Sequence, residues 1–522
     1  MKSHALKHTL AMILSLVLLA GVLTACQSST PSSTVTSAPD TSSPETSDAT
    51  ASGAAVEDYM SGPATQLRLV LYGDMSPRRE EYFKKDFHDK VLEELNIDLS
   101  VEMLAWGSED TIATMLASGE DFAFYNILSS QTWVSKGYLA EIDEGQINAL
   151  MPEFLEMRGP NNGFECSTYQ GGIYMIPIGN KPYSGRMQSF EVRNDILNEV
   201  GFDAKDITTY DQLLDAMDAV KVEYPNLRLI QSVTFLTNAL SAEISDTEYL
   251  RSPAKAPTFA TYDMMEDGDK VYSYYESDYF AKVCEIASDW QTKGYINEDL
   301  LTNPTQGLAD WNAGNCLMLY GTPGALIDQA LSSVAPDADL QLIHIGDAIM
   351  YKDRDYDWGI SISAVGQEKV PAWLRLFNWI YASQENYDFC VYGVEGQDYE
   401  INDDGSINPL TTDSFWDAWF LEASEYVHYD PKFSEEVVNE YIHYDDGSVL
   451  AKYVGFNFDS SSVSAELAAL TAIYDEFLNP MSCGQLDYAS NIDDVISKMK
   501  AAGIDDYIAE YQRQYSEWVA AQ

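Results

Sequence analysis

Six aromatic residues fall where strands are predicted to end or the chain to change direction: Trp106, Trp133, Tyr183, Trp311, Tyr320 and Trp358. A flat ring in such a place can stack on the apolar C–H face of a sugar-like ligand. Neighbouring Asn, Gln, Asp, Glu or Arg would bond the hydroxyl rim. With 34 Tyr, 19 Phe and 10 Trp, most aromatics must serve the core, so each of the six also has an ordinary core or surface reading. Covalent chemistry has no comparable set of candidates. The chain holds no Gly-x-Ser-x-Gly elbow, no Gly-Lys-Ser/Thr phosphate loop and no dinucleotide fingerprint. Its 83 carboxylates would allow a glycosidase pair almost anywhere, but no spacing singles one out. The 6 His show no His-Glu-x-x-His pattern. Asp403-Asp404-Gly405 and Asp445-Asp446-Gly447 lack the alternating oxygens of a calcium loop and read as turns. Neither a metal nor a cofactor is expected.

The elements that must position these residues begin after two segments of another kind. Lys2 and Lys7 precede an apolar run from Leu10 to Leu23, short for a membrane span and right for a signal-peptide core. Leu23-Thr24-Ala25-Cys26 resembles the lipobox of bacterial lipoproteins, which implies cleavage before Cys26 and lipid on that residue. Residues 26–65, rich in Ser, Thr, Pro and Ala, read as a flexible tether. The other five cysteines, Cys166, Cys284, Cys316, Cys390 and Cys483, are too far apart for a zinc site or a disulfide framework. They read as small apolar residues, with one bridge possible. The net charge of −53 excludes nucleic acid as a partner and argues against anionic ligands and anionic lipid surfaces. A chain of 522 residues implies more than one domain.

From Gln66 the pattern alternates. Strands are predicted at Gln66–Tyr72, Ile97–Leu104 and Phe122–Leu128. Between them fall a helix opened by Ser76-Pro77, with Phe83, Phe87, Val91 and Leu95 on one face, and a second helix at Thr111–Ala117. This reads as a doubly wound parallel sheet, whose ligands bind beyond the carboxyl ends of the strands. Near the end, Ile492, Val495, Ile496 and Met499 form one helical stripe and Ile508, Tyr511, Tyr515 and Trp518 another, separated by Gly503.

Met115-Leu-Ala-Ser-Gly-Glu-Asp-Phe-Ala-Phe124, Gly137-Tyr-Leu-Ala-Glu-Ile-Asp143 and Gly171-Gly-Ile-Tyr-Met-Ile-Pro177 resemble the opening half of the extracellular solute-binding proteins of sugar-type ABC importers. Ala123 departs from the pattern where an Asp is common, so no ligand role is carried to it. Trp311-Asn-Ala-Gly-Asn-Cys-Leu-Met-Leu-Tyr320 and Trp358-Gly-Ile-Ser-Ile-Ser363 are similar to later blocks of that family. Tyr392-Gly-Val-Glu-Gly-Gln-Asp-Tyr-Glu400, Val454-Gly-Phe-Asn-Phe-Asp459 and residues 501–518 resemble a Gram-positive lipoprotein branch with a C-terminal domain of unknown function.

The resemblance implies an α/β fold of two lobes joined by hinge crossings. The expected crossings lie near Ile178–Gly185, Asp357–Ile360 and Glu395–Asp404. Lobe one would comprise 66–180 plus 358–400, and lobe two 181–357 plus 401–522 with the C-terminal region. The implied activity is capture of a small neutral solute, an oligosaccharide by family, and its delivery to a permease without chemistry. The chain would be a monomer, anchored by lipid on the extracytoplasmic face of the cell membrane. A surface glycosidase and a ligand sensor stay open as alternatives.

Overall fold

The structure is a computed structural model. It describes residues 59–521 apart from Trp106, 127–129, 160–162, 170, 179–188, 233–238, 245–249, 252–258, 264–269, 304, 321–330, 332–333, 347–350, 353–358, 414, 417–419, 422, 424–425, 444–448 and 451–455. The signal segment and Cys26 lie outside the described residues. The segment read as a tether gains contacts earlier than Thr65: the Asn96 side-chain amide donates to the carbonyls of Tyr59 and Gly62 at 2.9 and 3.0 Å. The Arg375 guanidinium also lies over the Tyr59 ring. The polar tract therefore stops short of Tyr59, where one aromatic ring supplies something to bury.

Strand β1 (Thr65–Tyr72) is buried and apolar on both faces from Leu69 onward, as suits a central parallel strand, while Arg68 pairs with Glu102 and Glu120. Ser76 caps α1 (Pro77–Glu81) by accepting from the Arg79 amide. The helix passes through a π turn (Tyr82–Asp86) into α2 (Phe87–Leu95), which Asn96 ends in the left-handed conformation. After β2 (Ile97–Leu104), α3 (Glu109–Ser118) closes on Gly119 and leads to β3 (Ala123–Asn126). A short hairpin, β4 (Thr168–Tyr169) and β5 (Gly172–Ile173), precedes β6 (Ile176–Pro177). The second lobe contains β7 (Phe190–Arg193), α4 (Tyr210–Glu223), β8 (Arg228–Ile230), α5 (Asp278–Lys293), α6 (Gln306–Asn312), β9 (Cys316–Tyr320) and β10 (Leu340–Ile343). The chain returns in β11 (Gly359–Ile362), α7 (Val370–Ile380), α8 (Gln384–Tyr392) and the hairpin β12 (Tyr399–Ile401) and β13 (Ile407–Pro409). Asp403-Asp404-Gly405 is the turn of that hairpin, with Gly405 at φ +85°. Asp445-Asp446-Gly447 lies outside the described residues. Two helices, α9 (Tyr488–Ala501) and α10 (Ile504–Ala521), complete the C-terminal region.

The first sheet has the order β2-β1-β3-β11-β6, and the second β10-β7-β9-β8. β1, β2 and β3 are parallel, as their spacing predicts. The sheet is nevertheless mixed, which corrects the purely parallel reading: β11 runs antiparallel to β3 and β6 because it comes back from the other lobe. In the second sheet β7 is antiparallel to β9 and β10 for the same reason.

Each sheet has its own core. The first gathers Leu69, Phe124, Ile176, Ile360 and the buried α7, together with Ile407, Phe415, Trp416, Leu421 and Val427. The described residues Ile407, Phe415, Trp416, Phe420, Leu421 and Val427, in the stretch assigned above to lobe two, pack in the first core, whereas Phe433 and Val437 pack with Trp311, Cys316 and Leu340 of the second lobe. Helix α5 shows how the C-terminal region is attached. Tyr279, Val283, Ile286 and Trp290 face the second sheet's core, whereas Phe280 and Cys284, one turn apart, face the cluster built by α9 and α10.

Candidate functional site

The first two crossings fix where a ligand site can form. Phe190, the first residue of β7, lies opposite Tyr320 and Ile343, the last residues of β9 and β10. Gly359, the first residue of β11, lies opposite Asn126 and Pro177, the last residues of β3 and β6. In each lobe the incoming strand thus starts where its neighbours end. The crossings attach to the carboxyl ends of both sheets, the position at which open α/β sheets hold ligands. Gly359 is required there: a Cβ would lie 2.2 Å from the Ile176 carbonyl oxygen.

Buried polar groups cluster at these ends. The Asn126 amide donates to Ser361 Oγ at 3.0 Å, and the Ser361 hydroxyl donates to the Tyr174 carbonyl at 3.1 Å. At the opposite, amino end of β3, Ser363 Oγ accepts from the Phe122 amide at 3.2 Å. In the second lobe Glu191 is 1% exposed in β7 between Leu319 and Leu342. Ser189, at the mouth of the first crossing, is fully buried, and its hydroxyl has no hydrogen-bond partner among the described residues. At the far end of β7, away from the crossing, Arg193 is held by a bidentate pair with Asp195, and Asn194 donates to Asp339 at 2.7 Å, tying β7 to the start of β10. A buried hydroxyl without a partner is costly, so Ser189 is suited to pair with an arriving polar group.

The aromatic candidates divide. Trp133 is 7% exposed and meets Phe124 edge-on at 5.2 Å inside the first core. Trp311 is 1% exposed among Cys316, Leu331, Leu340, Phe433 and Val437. Both rings pack as core residues, the ordinary reading left open for them beside stacking: α6 and the helix at Ser130–Ser135 turn them into the sheets. Tyr320 ends β9 beside Phe190, at the strand ends. Trp106, Tyr183 and Trp358 lie outside the described residues. Sequence reasoning missed Asn126, Glu191, Ser189 and Ser361. The available signal was a polar residue interrupting an apolar strand, as in Phe190-Glu-Val-Arg193 and Gly359-Ile-Ser-Ile362.

The arrangement offers binding groups more readily than reactive ones. Cys284, Cys316, Cys390 and Cys483 are buried and free. Burial pushes the Cys316 thiol up to about 12 and the Cys483 thiol up to about 11, so neither is a thiolate nucleophile at neutral pH. Among the described residues no three His, Cys, Asp or Glu converge as metal ligands. A cavity of about 440 Å³ lined by Lys221, Asn226, Gln291, Tyr295, Asn297 and Glu298 lies elsewhere, at the amino end of β8 and the carboxyl end of α5.

Residues 452–520 match the family described as "Domain of unknown function (DUF3502)". The chain is 22% identical over 484 residues, 88% of its length and 92% of the relative's, to a carbohydrate ABC transporter substrate-binding protein of Streptococcus pneumoniae. The crystal structure of the N-glycan transport solute binding protein NgtS of Streptococcus pneumoniae, in complex with Man5GlcNAc, superimposes with a TM-score of 0.70. It covers 88% of this chain and 99% of that one at 18% identity. The Streptococcus pneumoniae ABC-transporter substrate binding protein FusA, in complex with kestose, gives a TM-score of 0.54 over 88% and 100% at 14% identity.

Proposed function

We propose that this chain, which has the two-lobe fold of the solute-binding proteins and ends in the DUF3502 domain, captures a neutral oligosaccharide and delivers it to the permease of an ABC importer. The observation that carries the reading is the paired strand-end geometry: both crossings attach where the strands of both sheets finish, so a ligand there touches two bodies at once. Such a ligand stabilises whichever separation lets both sets of groups reach it, and a permease can recognise that state. The relatives solved with Man5GlcNAc and kestose support a sugar in that place. The net charge of −53 favours a neutral sugar over a uronic or sulfated one. Lipid on Cys26 would keep the carrier on the extracytoplasmic face, near its permease.

Thermal-shift measurement of the mature chain against Man5GlcNAc, kestose and an oligouronate tests the reading. A neutral oligosaccharide should raise the melting temperature, because a ligand that binds only the folded state stabilises it by mass action, and chromatography should recover it unchanged. No shift with any neutral sugar across a broad panel, or hydrolysis of the bound one, overturns the proposal.

A further inference from the structure

The extended segment before the C-terminal helices places Asn457 between two anchored rings. Phe456 packs on Tyr511 and Tyr515 at 5.4 and 5.2 Å, and Phe458 on Tyr507 and Tyr511 at 5.4 and 4.4 Å. Just beyond, the Gln514 side chain both accepts from the Asp459 amide and donates to the Asp459 carbonyl, each at 2.8 Å. Both rings are turned into α10, while the Asn457 amide between them bonds outside the C-terminal cluster. Its Nδ2 donates to the Thr168 carbonyl of β4 at 3.0 Å.

That hydrogen bond joins the two lobes. Thr168 belongs to lobe one: its hydroxyl donates to the Phe164 carbonyl, its hairpin partner Ile173 bridges Ile142, and Tyr169 is buried in the first core. Asn457 is fixed to lobe two. The cluster that holds Phe456 includes Phe280 and Cys284 of α5, and Gly484 lies so close to α5 that a Cβ would come within 2.3 Å of the Ala287 carbonyl oxygen. The donor is thus mounted on one rigid body and the acceptor on the other, a few residues before the first crossing.

We propose that the C-terminal domain is a latch on lobe separation: Asn457 holds the lobes at the spacing seen here, and the domain thereby sets how long a ligand is retained. The proposal rests on the two-lobe binding reading, but its test needs no ligand. Spin labels at Val365→Cys in lobe one and Val222→Cys in lobe two, both exposed positions, report the separation by dipolar spectroscopy, with Cys26 and Cys166 replaced by Ser and the other four cysteines buried, to leave two labelled sites. In the ligand-free mature chain, Asn457→Ala and Asn457→Asp should each move population toward longer distances. The latched-to-unlatched ratio should change by roughly 2- to 10-fold, the effect of removing one hydrogen bond. Gln514→Ala, which removes the two hydrogen bonds fixing Asp459 to α10 and loosens the segment, should act in the same direction. If Asn457→Ala loses secondary structure, Asn457→Asp, which keeps the shape and removes the donor, decides. Distance distributions of both Asn457 variants that superimpose on the parent, with unchanged melting, overturn the latch. A failed sugar screen with shifted distances would instead count against the transport reading alone.

Discussion

Trp311 and Trp133 occupy places that sequence spacing assigned to ligand contact, and both rings are enclosed by side chains of their own lobe. Removing a buried indole leaves a cavity as well as lost contacts, so Trp311→Ala and Trp133→Ala should each cost about 3 to 5 kcal/mol of stability. Affinity for any sugar found in the screen should persist in the fraction that stays folded. Denaturant melts beside titration calorimetry separate the outcomes, and unchanged melts with lost affinity would return either residue to the site. The sequence could not make this distinction, because stacking platforms and core rings draw on the same residue type. Buried polar residues were the more legible clue: Glu191 and Ser361 break apolar strands, and a polar side chain in a buried strand must meet another polar group.

Elements were legible wherever periodicity and caps agreed. The Ser76-Pro77 start, the two C-terminal stripes and the Asp-Gly turn at 403–405 all follow from local chemistry, and local chemistry is what a sequence displays directly. The direction of β11 and the third crossing were not legible, since both depend on which lobe receives the chain. The Tyr392–Glu400 block, expected near a crossing, is instead a lock within lobe one. Asp398 accepts two hydrogen bonds from Arg78, at 2.7 and 2.6 Å, and a third from the Val394 amide. Gly393, at φ +93°, has no room for a Cβ, which would lie 2.3 Å from Phe415. Beside this lock His428 bonds Asp388 at 3.0 Å and the Gly405 carbonyl at 3.0 Å, joining the β12–β13 hairpin to α8. Burial opposes charge on His428, but the Asp388 carboxylate outweighs it and raises the imidazole above its ordinary value. A raised folded value means that the pair's contribution is complete below about pH 6.5 and is lost as pH rises through the folded value. The melting-temperature difference between the wild type and His428→Asn should therefore be larger at pH 5.5 than at pH 8.5. A difference that is flat or grows with pH would show the imidazole neutral in the fold.

For the whole molecule, the described structure begins at Tyr59, which is held by Asn96 and Arg375 of lobe one. Any anchor upstream therefore pulls on lobe one, while the C-terminal domain is built into lobe two. The lobes would then have separate duties: one is held near the membrane, and the other is free to approach or withdraw under control of the Asn457 contact. The anchor cannot be ordinary attraction of the protein surface to anionic lipid, because a net charge of −53 repels such a surface. On the reading proposed above, membrane retention of the mature chain comes from lipid on Cys26. Cys26→Ala should accordingly move the chain from the membrane to the soluble fraction. Its melting temperature should not change, because every described core residue lies well beyond position 26. Intact-mass measurement of the wild type should show the added acyl groups. Equal fractionation of the two proteins, with an unmodified wild-type mass, would mean that Leu23-Thr24-Ala25-Cys26 is an ordinary secretory cleavage region and that the carrier works unanchored.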